Sequence, residues 1–203
     1  MKNPASRSFL ATLALLAALP ALTLPATALS AATPIAAETY QIDPAHSNIG
    51  FRVRHLMSKV TGRFGKVSGT VSLDPKDPAR SSVEVTIDVA SVSTNDDKRD
   101  GHLKSPDFFD AAKYPTITFK STAVKQVAKD KLEVTGVFSM HGVTKTLVIP
   151  VVSLGTAADP WKNVIAGFEG ALKLNRQEFG VSYGPGLVGD EVEIDLNVEA
   201  KKI

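Results

Sequence analysis

Residues 191–198 read EVEIDLNV, and this run carries the pattern that decides the fold. Apolar side chains occupy every second position, and acidic or amide side chains lie between them. Because successive side chains of a β-strand point to opposite faces, the run predicts a strand with one apolar and one polar face. Strands of this kind are typical of antiparallel sheets that are solvated on one side.

The same two-residue period recurs on both sides of this point. It is found at residues 49–53, 83–89, 117–119, 132–140 and 166–174, and in a less regular form at 60–73 and 143–154. Together with 191–198 these runs give eight strand candidates in a single domain. Such a set predicts an all-β sandwich or barrel.

One long segment interrupts the pattern. Residues 95–114 read NDDKRDGHLKSPDFFDAAKY and show no two-residue period, and Pro106 predicts the start of a short helical turn. A plain connection between two strands is much shorter, so a long excursion indicates a functional role.

The first 37 residues have the layout of a secretory signal. Lys2 and Arg7 precede an apolar run at 9–19, and small residues follow it. This order predicts a cleaved signal at residues 1–37, with cleavage somewhere between 28 and 37, and a single domain at 38–203.

A membrane anchor is the alternative for this leader. A spanning helix needs about 20 apolar residues, whereas Pro20 and Pro25 interrupt this run. No later stretch is apolar enough to span a bilayer. We therefore expect an exported mature chain without an integral span, located in the periplasm of a host with two membranes.

Composition excludes several classes of function. The chain has no cysteine, so thiol catalysis, disulfides and cysteine-based metal sites are ruled out. Removing residues 1–37 takes away two of the 23 basic residues and none of the 21 acidic ones, so the mature chain has equal numbers of both. A neutral chain argues against nucleic acid as a partner.

The histidines give no strong sign of catalysis. His46, His55, His102 and His141 are spread along the chain, without the close spacing that often supplies metal ligands. We therefore predict no catalytic residue, no metal and no cofactor. An envelope enzyme that uses His46, His102 or His141 stays open as an alternative, because distant residues can still meet in space.

Several ordered motifs resemble one family. They are DPAHS at 43–47, FRVRH at 51–55, VTGRF at 60–64, RDGHLKSPDFFD at 99–110, GVTK at 142–145 and DPW at 159–161. Over roughly residues 39–200 the chain resembles the YceI-like family of exported lipid-binding proteins. The main departure is FSMH at 138–141, where a Leu-Thr pair is more usual.

The resemblance implies an all-β, lipocalin-like, eight-stranded antiparallel barrel with a hydrophobic interior tunnel and a short helical excursion between strands. It implies a non-enzymatic carrier or storage protein whose partner is a long isoprenoid or related lipid, of the ubiquinone or polyprenyl type. The tunnel lining is predicted to include Ile49, Phe51, Val53, Val85, Ile87, Ile117, Phe119, Val134, Phe138, Met140, Leu147, Phe168 and Ile194. Sequence alone does not separate a hollow barrel from a filled one, because the same residues would also make a packed core.

The excursion is predicted to lie at the tunnel mouth. Arg99 and His102 either contact the ligand head or hold the excursion to the barrel. Phe108, Phe109 and Tyr114 are candidates for a lid, with local core packing as the equal alternative. A ligand-free interaction protein and a homodimer also stay open.

Overall fold

The computed structural model describes residues 37–203, which form β-structure with one α-helix in that part of the chain. The predicted export signal, residues 1–37, lies outside the described residues except for Ala37. The elements are β1 (Glu38–Ile42), β2 (Asn48–His55), β3 (Ser58–Phe64), β4 (Val67–Leu73), β5 (Ser82–Asp88), β6 (Val92–Ser93), α1 (Asp97–Lys104), β7 (Thr116–Ala128), β8 (Lys131–Met140), β9 (Val143–Ala158), β10 (Val164–Asn175) and β11 (Val188–Lys202).

Eight strands close into an antiparallel barrel. Their order is β1-β4-β5-β7-β8-β9-β10-β11, and β11 pairs again with β1. The predicted eight-stranded antiparallel barrel is therefore confirmed. Closure leaves no free edge along these strands, which removes the template for edge-to-edge aggregation.

Three further segments extend one side of the barrel. β2 pairs with β11, β3 pairs with β2, and β6 pairs with β3. β1 and β2 are separated by a turn and pair with successive parts of β11, at Ala200 and at Asn197. The strand predicted at 60–73 is likewise two segments, β3 and β4, which are interrupted at Gly65 and Lys66.

The α-helix of the excursion, Asp97–Lys104, lies before Pro106, and the short turn predicted at Pro106 follows it. Asp96 caps the helix by accepting a hydrogen bond from Arg99 N at 2.9 Å. The helix ends at Lys104, and Pro106 begins a turn. This position is expected because proline has no N–H to donate inside a helix. In the described part of the chain, no helix has the length and apolar character needed to cross a bilayer.

The two-residue turn between β8 and β9 shows why a glycine lies there. His141 and Gly142 both have positive φ angles, 52° and 77°. A type I′ hairpin turn requires this conformation at both positions, and its twist matches that of the flanking strands. The turn fixes the register Met140 to Val143, which places Phe138 on the inner face.

Candidate functional site

The barrel encloses an apolar cavity of about 460 Å³. Inward-facing valine, leucine, isoleucine and phenylalanine side chains from the barrel strands and from β2 and β3 form most of its wall. This volume lies within the range of roughly 300–1,000 Å³ that is usual for small-molecule sites. The cavity is therefore large enough for a ligand, and its wall offers hydrocarbon contacts.

The structure brings most of the predicted lining residues to this cavity. Those on its wall are Ile49, Phe51, Val53, Val85, Ile87, Ile117, Phe119, Val134, Phe138, Met140, Phe168 and Ile194. Leu147 is not among the lining residues. It is half-buried, but its partner in the ladder is Gly136, and the ring of Phe119 lies over that glycine.

Two glycines explain how the barrel holds large aromatic side chains without filling its centre. A Cβ at Gly62 would lie 2.8 Å from Phe51 Cε1, and a Cβ at Gly136 would lie 2.7 Å from Phe119 Cε2. Contacts this short do not occur, so only glycine leaves room for each ring. Each phenylalanine ring therefore lies against the wall, over a glycine of the neighbouring strand.

One end of the cavity is surrounded by aromatic side chains. The His102 ring lies edge-on to Phe108 and to Tyr183, with 5.0 Å between centroids in each pair. Phe109 packs on Phe64 at 5.7 Å. All five residues line the cavity. Phe108 is buried and Phe109 is half-buried, and both belong to the hydrophobic core.

Tyr114 lies outside the cavity, unlike the other lid candidates. Its ring packs on His141, with 4.6 Å between centroids, and a Cβ at Gly142 would lie 2.7 Å from it. It thus covers the β8–β9 turn. Tyr114 was predicted at the mouth, but its ring lies over this turn because Gly142 has no side chain to occupy that space.

Arg99 lines the cavity and also holds the excursion together. Its Nε donates to Thr94 Oγ1 at 2.7 Å, and its Nη2 donates to the Thr94 carbonyl at 3.0 Å. Buried Asp100 accepts bonds from the same Thr94, through N at 2.7 Å and Oγ1 at 2.6 Å. Burial by itself would raise the pKa of Asp100, but the hydrogen bonds from Thr94 hold that pKa below its ordinary value.

Arg176 was not predicted from the sequence, and it organises the loop before β11. Its buried guanidinium donates to the carbonyls of Val181, Tyr183, Val188 and Gly189 at 2.7–2.9 Å. Burial lowers the pKa of Arg176, while Asp190 at 3.5 Å acts in the opposite direction. No periodic pattern marks this arginine, because its role depends on a loop that folds back around it.

Other lining residues that the sequence did not indicate come from chain segments beyond the alternating runs. His55 ends β2, and Tyr183 and Leu187 lie in the loop that Arg176 holds. Ser81 and Ser82 lie at the start of β5, whose other end leads toward α1, so they are at the opposite end of the barrel. The lining thus includes a few polar groups besides its apolar side chains.

The three candidate catalytic histidines, His46, His102 and His141, do not gather in the cavity, since His102 lines it and the other two do not. His102 Nε2 lies 2.8 Å from Asp107 Oδ2, and His141 Nδ1 lies 3.1 Å from the Phe179 carbonyl. His46 lies with Asp43 and Glu199, the one such trio in residues 37–203 with ligand atoms close enough to share a cation. His46 is exposed at the β1–β2 turn, and none of the three lines the cavity.

Comparisons with known proteins agree with this geometry. A family model described as the YceI-like domain matches residues 40–200. A UPF0312 protein of Azotobacter vinelandii is 40% identical over 184 residues, which is 89% of this chain and 95% of the relative. The crystal structure of BcnA from Burkholderia cenocepacia is similar with a TM-score of 0.72 and 31% identity, covering 78% of this chain and 98% of that one.

A more distant structure shares the fold. It is described as a polyisoprenoid binding domain from Saccharophagus degradans implicated in plant cell wall breakdown. Its TM-score is 0.63 at 18% identity, over 81% of this chain and 98% of that domain. At this identity the likeness extends to the fold alone.

Proposed function

The chain belongs to the YceI-like family, and from that premise we propose that it is an exported, non-enzymatic carrier or storage protein for a long isoprenoid or related lipid. The observation that carries the proposal is the apolar cavity inside the barrel. The Saccharophagus degradans domain, which is described as binding polyisoprenoid, supports the choice of ligand class.

The energetics of an isoprenoid tail suit such a cavity. Moving one methylene from water to an apolar site contributes about 0.8 kcal/mol. The gain over several prenyl units exceeds the ordering terms of about 0.5–1.5 kcal/mol per immobilised group. Tight retention therefore needs no covalent bond and no charged group inside the barrel.

The ends of the cavity suit the polar part of such a ligand. Arg99, His102 and Tyr183 lie at the aromatic end, where they could meet a head group. The two bonds from Arg99 to Thr94 give it a role in holding the excursion, and we assign it primarily to that role. His102 is close to Asp107, and its ring forms part of the wall.

The non-enzymatic part of the proposal rests on the separation of the candidate groups. His102, His141 and His46 lie with different partners at different places, so they do not form a shared acid–base centre. Export to the periplasm rests on the predicted signal at residues 1–37.

Extraction of the purified protein with organic solvent, followed by mass spectrometry, tests the proposal. We expect one lipid class, with masses spaced by whole prenyl units, at close to one molecule per chain. Protein that is unfolded, washed free of lipid and refolded serves as the control, and it should regain the same lipid from a mixed lipid pool. Absence of any stoichiometric lipid would contradict the carrier function.

A further inference from the structure

The hairpin between β2 and β3 presents two apolar side chains to solvent. Leu56 is 56% exposed, and Met57 is 95% exposed. Leu56 adopts a positive φ of 49°, which a branched apolar residue does not favour. A hairpin tip in water is normally polar, so apolar residues in this conformation indicate a surface that something else covers.

This tip adjoins the mouth of the cavity. Leu56 N donates to the Leu187 carbonyl at 3.0 Å, and Leu187 itself lines the cavity and is exposed. Tyr183, which also lines the cavity, is exposed on the same loop. Leu56, Met57, Tyr183 and Leu187 are called the rim below. Whatever covers the rim therefore also meets the opening of the cavity.

Two cationic side chains flank the tip. Arg54 and Lys59 are partners in the β2–β3 ladder, each two residues from the tip, and both are exposed. Lys59 pairs with Glu193 at 2.7 Å, whereas Arg54 has no ion pair within residues 37–203. Long cationic side chains beside apolar ones are typical of proteins that lie at a bilayer surface, where the stem is buried and the charge stays among head groups.

The size and shape of the rim favour a bilayer over a protein partner. A stable protein interface takes about 20–30 residues on each side, but the rim offers four apolar side chains at the tips of two loops. A convex tip of this size enters the acyl boundary of a membrane without needing a complementary groove. The proposed ligand is itself a membrane component, and each methylene exposed during transfer through water costs about 0.8 kcal/mol.

We propose that the rim inserts into the interfacial layer of a lipid bilayer and places the cavity mouth against it, with Arg54 toward anionic head groups. Lipid can then enter or leave the barrel without crossing bulk water. This inference rests on the proposed carrier function for its purpose, but vesicle binding itself is measured separately from lipid content.

Flotation of the purified protein with vesicles of phosphatidylethanolamine and phosphatidylglycerol tests the inference. We expect the double substitution Leu56→Ser with Met57→Ser to lower the vesicle partition coefficient by about tenfold or more, which corresponds to about 1.4 kcal/mol. The matched control is Leu154→Ser with Val148→Ser, since Leu154 is 59% and Val148 is 54% exposed, on β9. This control should keep partition within about twofold of the unchanged protein, because β9 pairs with β8 and β10 and lies away from the rim.

Three results would overturn the docking role. One is that the unchanged protein does not float with the vesicles. Another is that the β9 control loses as much binding as the rim variant. The third is that the rim variant turns a dimer into a monomer in size-exclusion chromatography without any vesicle binding by the parent, which would assign the rim to a second copy.

Lipid extraction on the same samples separates this inference from the carrier function. A protein that retains isoprenoid but never binds vesicles refutes only the docking. A protein that binds vesicles through the rim but contains no lipid supports the docking and refutes the carrier function.

Discussion

Replacement of Arg176 by methionine should destabilise the barrel more than any other arginine substitution. The guanidinium is buried and donates four hydrogen bonds to carbonyls of the loop between Val181 and Gly189. Methionine keeps much of the apolar volume but donates nothing. The loop would therefore lose the group that holds it, and with it the positions of Tyr183 and Leu187 at the mouth.

The magnitude follows from the contacts. Hydrogen bonds to a charged group contribute about 1.5–3 kcal/mol each, so four would give roughly 6–12 kcal/mol in total. Removing the charge also removes its desolvation penalty, which is several kcal/mol for a buried ion. Carbonyls near the exposed end of the loop regain water. We therefore expect a net loss of about 3–5 kcal/mol in the free energy of unfolding, the difference between these two opposing contributions.

Equilibrium urea unfolding, followed by far-ultraviolet circular dichroism at 25 °C, measures this loss. The matched control is Arg63→Met, because Arg63 is exposed on β3, and its change should stay within about 0.5 kcal/mol. Arg176→Lys should recover only part of the stability, because an ammonium group cannot bond four carbonyls with the geometry of the planar fork. If Arg176→Met lies within about 1 kcal/mol of the control, the four bonds do not stabilise the loop as argued.

Three further changes test other parts of the molecule. Phe138→Asp should abolish lipid retention, because a carboxylate in an apolar cavity is disfavoured. Val137→Asp, on the outer face of the same strand, should retain the lipid. Equal retention by both variants would refute the assignment of these two residues to opposite faces. Arg99→Met should lower the free energy of unfolding by about 1–2 kcal/mol, because it removes two hydrogen bonds to Thr94, and should leave ligand affinity unchanged. Unfolding and ligand titration on one sample measure both quantities. Weakened affinity at unchanged stability would instead assign Arg99 to the ligand head. Hydrogen bonds from Lys59 and Arg52 lower the pKa of Glu193 to about 2, below its ordinary 4.5, so the contribution of Glu193 to stability is present above pH 4.5 and is lost as the pH falls toward 2. Glu193→Gln should therefore flatten the dependence of the unfolding midpoint on pH in that window. An unchanged slope would show that the ion pairs of Glu193 contribute nothing to stability.

The barrel could be predicted because its signal is local. A strand with one apolar face has an apolar residue at every second position, as the run at 191–198 shows. The interruption between β3 and β4 could not be predicted, because apolar residues that become buried, Phe64 and Val67, lie on both sides of it. In the sequence, the break at Gly65 and Lys66 therefore looks like a small irregularity within one strand.

The hollow interior could not be read from alternation alone. The two-residue alternation predicts that Phe51 and Phe119 face inward, but it does not predict whether their rings fill the centre of the barrel. The deciding residues are Gly62 and Gly136, whose missing side chains leave room for the rings against the wall. An inward-facing glycine beside a phenylalanine in the next strand is a signal that sequence could supply, once strand pairing is known.

The ends of the cavity depend on tertiary contacts. Tyr183 and Leu187 reach the mouth because Arg176 folds their loop inward, and Tyr114 leaves it because Gly142 opens a place for its ring. Neither arrangement follows from a local period. Residues on loops are therefore harder to place from sequence than residues on strands.

The most direct test of a lipid held inside the barrel is a crystal structure of the protein purified with its bound lipid. We expect one continuous, elongated ligand inside the barrel, in contact with Phe51, Phe119 and Phe138, with its polar end at the aromatic end of the cavity, near His102 and Tyr183. A barrel whose centre is filled by repacked side chains, or a lipid held only on the outer surface, would contradict it.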